Sequence, residues 1–172
     1  GNPLYLEEIG HLLSAGSFDK MIHDGEFTPS ATVQELTKSR LARLSPRAIQ
    51  LAQAASVIGN TVDMGLLGLI HPDLDEGELT DLKMAGLLVV GSAAETLRFK
   101  HGITRDVVYQ SIDLKTRRAL HRAIAEALIA RENGDSEAEL LAHHYDGAGD
   151  FRKALLHAEI AGDRALTASS LD

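Results

Sequence analysis

The segment Leu87-Leu88-Val89-Val90-Gly91-Ser92-Ala93-Ala94-Glu95-Thr96-Leu97-Arg98-Phe99-Lys100 decides the prediction of the fold. Its two ends, residues 87–90 and 96–100, are the only runs in the chain with the composition of β-strands. Residues 91–94, which lie between them, have the composition of a turn. The segment therefore predicts one small β-hairpin, and we expect the rest of the chain to be helical.

Helical signals precede the hairpin. Thr32 and Glu35 have the spacing of a capping box. Ser45 and Pro46 suit an N-cap and a first helical position, and Gly59 suits a C-terminal cap. Five helices are predicted, over residues 3–15, 33–43, 46–58, 64–70 and 75–85. Helices closed by a single hairpin are the pattern of a winged helix, which we predict here.

Helical periodicity resumes after the hairpin. Apolar residues at four-residue spacing predict one helix near residues 103–112 and a longer one over residues 114–130. A further helix from Glu137, a turn at residues 147–150 and a helix with small residues at positions 154, 158, 161 and 165 predict a helix hairpin. The chain opens on Gly1 without Met and ends at Asp172 within a helical pattern, so we expect a segment of a longer protein.

Composition restricts the possible classes. With 172 residues, 44% of them hydrophobic, the chain has enough apolar side chains for a core. The absence of cysteine excludes disulfides and thiolate metal sites and fits a cytoplasmic location. A net charge of -8 disfavours nucleic-acid binding. No apolar run approaches the roughly 20 residues of a membrane span, so we expect a soluble protein without membrane contact.

Several phrases, taken in order, carry a family resemblance. They are residues 1–8 (Gly-Asn-Pro-Leu-Tyr-Leu-Glu-Glu), 51–59 (Leu-Ala-Gln-Ala-Ala-Ser-Val-Ile-Gly), 99–101 with 108–111, 117–121 (Arg-Arg-Ala-Leu-His) and 140–145 with Gly149, Asp150 and Ala154. Together they resemble STAND-class ATPase modules of bacterial signalling proteins. In that family, a P-loop ATPase core is followed by a helical lid, a winged helix and tetratricopeptide-like helix pairs. An adenylate or guanylate cyclase or a LuxR-type domain is often fused to them.

The resemblance implies a mostly α protein with a three-part organisation. Residues 1–44 correspond to the helical lid, 45–112 to the winged helix, and 113–172 to a linker helix and the first tetratricopeptide-like helices. It also implies two nucleotide-contacting residues: Pro3 matches the proline beside the nucleotide, and His101 matches the histidine that approaches the phosphates of ADP. On either side of His101 the sequence departs from the family's Met-His-Asp motif. Phe99-Lys100 precedes it, and Gly102 follows it. ATP or ADP would be the cofactor of the parent protein, with none in this segment.

Catalytic motifs are missing from the sequence. It contains no Gly-x-x-x-x-Gly-Lys-Ser/Thr loop, no Gly-x-Ser-x-Gly elbow and no His-Glu-x-x-His pair, so we predict no catalytic residue and no enzyme activity. The adjacent His143 and His144 diverge by about 100 degrees on a helix and are predicted not to share a metal ion. One of them should pack beside Tyr145 while the other faces water.

The preferred functional prediction is a regulatory relay. The segment would pass the nucleotide state of an ATPase core to an output domain in cis such as a cyclase, and bind a protein partner through its helical repeats. A DNA-binding winged-helix regulator is one alternative, disfavoured because residues 75–85 carry four acidic side chains against Lys83 alone. A protein-interaction scaffold built on the terminal helices is the other.

Overall fold

The computed structural model describes residues 29–131 and 137–169. Within these residues the chain is mostly helical, as predicted, with eight helices and one small antiparallel sheet. The helices are α1 (Pro29–Leu41), α2 (Pro46–Ile58), α3 (Met64–Ile70), α4 (Glu76–Met84), α5 (Gly102–Gln110), α6 (Leu114–Ala130), α7 (Ala138–Ala148) and α8 (Phe151–Ser169). The strands are β1 (Thr61–Asp63), β2 (Leu88–Val90) and β3 (Thr96–Phe99). The helix predicted over residues 3–15 lies outside the described residues.

Side-chain caps fix several of the described helix starts. The Ser45 hydroxyl accepts a hydrogen bond from the Ala48 N–H at 3.1 Å, and Pro46 occupies the first turn, as the sequence predicts. Gly59 ends α2 with φ 149°, donating its N–H to the Ala55 carbonyl. Asp63, Asp75 and Asp113 cap α3, α4 and α6 in the same way. These local signals explain why the bounds of α2, α3 and α6 match the prediction.

Helix α1 begins earlier than predicted. It runs from Pro29, so Thr32 lies inside the helix and the capping box predicted there is wrong. Proline is favoured in a first helical turn, where its missing N–H has no partner to lose. Helix α1 packs against α5, and Leu41 is buried in a core cluster that it shares with residues of α2.

The sheet has one strand more than the sequence predicts. The hairpin of β2 and β3 is confirmed, but β1 also pairs antiparallel with β3, which gives the order β1-β3-β2. The prediction of a lone hairpin is therefore wrong. Three residues are too short to display a strand periodicity in the sequence, and β1 joins the sheet through its pairing with β3, which sets the buried Val62 opposite Leu97.

The buried hydrophobic residues of the described part of the chain form two clusters. The first core surrounds α2 and joins α1, α4, α5 and the sheet, with Leu51, Leu82 and Leu88 fully buried. The second core joins Val57 of α2 and Leu66 of α3 to the apolar side of α6 and to α7. Leu120 of α6 packs against both cores. The long helix therefore belongs to both halves of the structure.

Helices α7 and α8 form the predicted hairpin. The observed turn is shorter than the predicted one, because α7 continues to Ala148 and the chain reverses at Gly149 with φ 79°. Ala154 and Ala161 of α8 are half-buried, whereas Ala158 and Ala165 are exposed, so the predicted stripe of small residues is only partly at the contact. Most of α8 faces solvent.

None of the eight described helices combines the length and apolarity that a membrane crossing needs.

Candidate functional site

Three histidines meet where α6 packs on α7. His121 and His144 are 1% and 2% exposed, and His143 lies at the solvent edge. The Nδ1 atoms of His121 and His144 are 3.0 Å apart, within hydrogen-bonding distance. The prediction that one histidine of the adjacent pair packs inside while the other faces water is confirmed. His121, which comes from a different helix, is what turns the pair into a cluster of three rings.

The three imidazole rings form a nearly equilateral triangle. Ring centroids are 5.2 Å apart for His121 and His144, 5.2 Å for His143 and His144, and 5.6 Å for His121 and His143. One nitrogen of each ring lies within 4.8 Å of a nitrogen of each of the other two. Helix α7 therefore presents two adjacent histidines to one ring on α6, although neighbouring positions diverge around a helix.

Tyr109, near the end of α5, extends the cluster by one hydrogen bond. Its hydroxyl lies 3.0 Å from Nε2 of His121, so both ring nitrogens of His121 have a partner. The guanidinium groups of Arg105 and Arg117 stand 4.9 Å and 4.6 Å from the centroid of the Tyr109 ring. These cation–π contacts hold the phenol in place. A chain of hydrogen bonds thus connects α5, α6 and α7.

Burial keeps the two inner histidines neutral. Desolvation lowers the pKa of His121 to about 4, and the nearby charges of His143, Arg105 and Arg117 act in the same direction. Desolvation and the two neighbouring histidines lower the pKa of His144 to about 3. At neutral pH each ring therefore carries one proton and one lone pair. A neutral histidine pair of this kind can pass a hydrogen bond or offer lone pairs to a cation.

The close approach of His121 to α7 depends on a glycine. A Cβ atom at Gly147 would lie 2.5 Å from Nδ1 of His121 and 2.6 Å from Cε1. Gly147 belongs to the last turn of α7, and its φ is not positive, so the space and not the backbone conformation is what requires glycine here. The sequence prediction placed this residue in a turn.

Of the two nucleotide-contacting residues implied by the family resemblance, only His101 belongs to the described residues, and it lies away from the histidine cluster. Pro3 lies outside the described residues. His101, separated from β3 by Lys100, is the N-cap residue of α5, and its carbonyl accepts hydrogen bonds from the N–H groups of Thr104 and Arg105 at 3.0 and 3.3 Å. Its side chain makes no capping hydrogen bond to α5. His101 and Tyr109 thus lie at opposite ends of α5, about 12 Å apart along the helix axis.

Basic side chains accompany His101. Arg105, one turn into α5, donates to the Ser56 carbonyl at 2.8 Å near the end of α2. Lys100, immediately before His101, lines a groove of about 530 Å³ together with Arg40, Arg43 and Asp81. The region around the start of α5 is therefore richer in cationic groups than the net charge of the chain suggests.

Comparison with known proteins finds one distant relative. The chain is similar to an uncharacterized protein of Rhizobium meliloti (strain 1021). The two are 27% identical over 191 residues, which is 99% of this chain and 18% of the relative. The chain therefore spans less than a fifth of that relative's length. No family model and no solved structure matches the chain.

The sequence did not reveal the cluster. His121 and His144 are 23 positions apart, and Tyr109 is a further 12 positions before His121. No spacing rule links residues on three helices. The one sequence signal is weak: His121 falls on the apolar side of α6 with Ile124 and Leu128, where a histidine needs a polar partner from another element.

Proposed function

We propose that this chain is a non-catalytic regulatory segment of a STAND-class signalling ATPase. It relays the nucleotide state of an ATPase core to an output domain such as an adenylate or guanylate cyclase. The observation that carries the proposal is the order α2, β1, α3, α4, β2, β3, which is the order expected of a winged helix, with His101 as the N-cap of α5, two positions after the end of β3. The family resemblance assigns the phosphate-sensing histidine to this position.

Local chemistry supports an anion contact there. The first N–H groups of a helix carry partial positive charge, and Arg105, which is paired with Asp106, adds a cationic side chain one turn further on. An imidazole at the N-cap of α5 is positioned to donate a hydrogen bond to a phosphate at this end of the helix. ADP contacts at His101 would favour one packing of the winged helix against the core, and ATP the other, by their difference in affinity.

Helix α5 supplies a route onward. Its first turn holds His101 and Arg105, and its last turn holds Tyr109, which is hydrogen-bonded to His121 of α6. A shift of α5 therefore changes a contact with α6 and, through His144, with α7. A relay needs an element that has two arrangements and contacts both the nucleotide site and the next element. In this proposal, α7 and α8 pass the change to the output domain.

The first test is the coding sequence around this segment. Translation of several hundred codons on either side should give a P-loop before residue 1 and an output domain such as a cyclase or a helix-turn-helix. A complete gene without a P-loop would refute the proposal. The 18% share of the Rhizobium relative supports the expectation, because that protein carries the matching segment within a much longer chain.

The second test is nucleotide retention in the full-length protein. His101→Ala should speed ADP release by about tenfold, equal to about 1.4 kcal/mol, with the fold unchanged by circular dichroism. His71→Ala is the matched control, because His71 is a half-buried histidine at the end of α3, outside the α5 region. Equal ADP release rates for His101→Ala and wild type would contradict the sensing role.

A scaffold function is the second candidate, and the exposed apolar residues of α8 favour it. Phe151, Leu155 and Leu156 are 69%, 62% and 54% exposed. In a tetratricopeptide-like array, such a face packs against a following helix or a protein partner. If His101→Ala leaves nucleotide release unchanged while Leu155→Glu abolishes signalling output, the scaffold reading replaces the relay.

DNA binding has less support. Helix α4 has Glu76, Glu78 and Asp81 against Lys83, and Glu78 pairs with Arg47 at 3.1 Å. Affinity for DNA comes largely from cationic contacts to phosphates. Fluorescence anisotropy with a labelled DNA duplex at low salt gives the direct measurement, and we expect no saturable binding at micromolar protein.

A further inference from the structure

We infer that His121, His143 and His144 form a binding site for a divalent transition-metal ion of the zinc, nickel or cobalt class, joining α6 to α7. This inference does not rest on the proposed function. The three residues are the only group of three or more histidine or acidic side chains with metal-binding proximity among residues 29–131 and 137–169. Imidazole nitrogen is a preferred ligand of these ions.

The ring geometry matches a tetrahedral centre. With a metal–nitrogen distance of about 2.0–2.1 Å, three imidazoles on a tetrahedral ion have ring centroids about 5.2 Å apart. The observed separations are 5.2, 5.2 and 5.6 Å. Two of the three sides of the triangle agree with this value, and the third exceeds it by a few tenths of an ångström. Rings packed only for their own hydrogen bond need no such threefold arrangement.

The two buried ligand atoms already have nearly the required separation, and the third, up to 4.8 Å away, reaches the ion by a side-chain rotation. Two nitrogens on one tetrahedral ion lie about 3.3 Å apart, and the Nδ1 atoms of His121 and His144 are at 3.0 Å. His143 is exposed, so rotation of its side chain brings a nitrogen inward at little cost. Its position at the solvent edge also gives the ion a path of entry and leaves the fourth ligand position to water.

Protonation and neighbouring groups fit the same use. Both inner rings are neutral at pH 7, so neither ring has to lose a proton before it binds the ion. Binding requires the proton shared between the two Nδ1 atoms to reside on an Nε2 instead. His121 Nε2–H then donates to the Tyr109 oxygen at 3.0 Å, and a hydrogen bond of this kind on the outer ring nitrogen orients a metal-bound imidazole. The charges of Arg105 and Arg117 oppose the ion, whereas Asp146 favours it electrostatically.

Isothermal titration of the untagged, chelator-treated 172-residue chain with zinc chloride tests the inference. We expect one ion per chain, and a cobalt complex with the absorption spectrum of tetrahedral nitrogen coordination. Since His143 is exposed, His143→Ala should fold normally and bind at least about tenfold more weakly. Tyr109→Phe should weaken binding by about tenfold while keeping the 1:1 stoichiometry. His71→Ala, outside the cluster, should bind as wild type does.

The melting temperature distinguishes a variant that has lost the metal site from one that has lost its fold. Zinc should raise the melting temperature of the wild-type chain and of His71→Ala, and should leave that of His143→Ala nearly unchanged, because an ion stabilises only a folded state that binds it. The inference is overturned if no 1:1 complex forms at micromolar protein. It is equally overturned if His143→Ala binds zinc as tightly as wild type, or if His71→Ala loses binding to the same extent.

Discussion

Asp63 is predicted to stabilise the fold in two separable ways. Its Oδ1 caps α3 by accepting from the Leu66 N–H at 2.8 Å. Its two carboxylate oxygens also accept from both terminal nitrogens of Arg131, at 2.9 and 3.0 Å, which ties the start of α3 to the C-terminal end of α6. Replacing Asp63 by Ala removes both contributions, and replacing it by Asn removes mainly the second.

The magnitudes follow from the exposure of the pair. The side chains of Arg131 and Asp63 are 28% and 47% exposed, so the ion pair is worth about 0.5–1 kcal/mol even with its two-pronged geometry. Loss of an N-cap costs about 1 kcal/mol. We therefore expect Asp63→Ala to lower the free energy of unfolding by about 1.5–2 kcal/mol, and Asp63→Asn or Arg131→Gln by about 0.5–1 kcal/mol, since Asn caps as well as Asp.

Urea unfolding followed by circular dichroism at pH 7 gives these free energies. Combining Asp63→Asn with Arg131→Gln closes a double-mutant cycle, and the coupling should be about 0.5–1 kcal/mol. Asp106→Asn is the matched control, because Asp106 is an exposed aspartate paired with Arg105 that caps no helix, and it should cost under about 0.5 kcal/mol.

Acid titration gives an independent check of the sign. The hydrogen bonds from Arg131 hold the pKa of Asp63 below its usual 3.8. The contribution of Asp63 is therefore complete above pH 3.8 and is lost as the pH falls below that value toward the pKa of the folded state. The reasoning is refuted if the cycle shows no coupling, or if Asp63→Ala costs no more than Asp63→Asn.

Three further predictions concern histidine protonation, packing at Gly147 and the cap on α2. Because His121 and His144 have folded-state pKa values of about 4 and about 3 against 6.5 when unfolded, stability should be complete above pH 6.5. It should fall by up to about 1.4 kcal/mol per pH unit for each ring as the pH drops toward 4, measured by urea unfolding across that range. Gly147→Ala should lower the melting temperature, because three His121 ring atoms would lie within 2.7 Å of the new Cβ and this overlap costs up to about 3 kcal/mol, against a gain of roughly 1 kcal/mol in helix propensity. A higher melting temperature would show that the ring moves aside. Ser45→Ala should cost about 1 kcal/mol in the same unfolding assay through loss of the cap on α2, and a cost near zero would mean that Pro46 alone starts the helix.

The helices were predictable where local chemistry decides them. Ser45 with Pro46 and Gly59 mark both ends of α2, and the bounds of α3 and α6 follow from apolar spacing with aspartate caps. Strand β1 was not predictable, because its three residues acquire strand geometry only by pairing with β3. The division of the chain at residues 44 and 112 stays a prediction.

The histidine cluster needed three-dimensional information. Reasoning from the helix geometry of His143 and His144 alone correctly placed one inside and one outside, yet it could not supply the third ring from α6. A ring nitrogen of His121 and the Tyr109 hydroxyl meet only because α5 and α6 both pack against α2. The position of His101 before α5 was predictable, since it follows from the end of the hairpin.

Sharing of α6 between the two cores has a practical consequence for dissecting the protein. A chain ending before Leu114 would strip Val57 and Leu66 of the side chains that cover them and would tend to aggregate, whereas one ending after Arg131 would keep that cover and the pairing with Asp63. In hydrogen–deuterium exchange, the amides of α6 should be among the slowest and should open together with those of α2. Limited proteolysis should accordingly release α7 and α8 before it separates α6 from the helices that precede it.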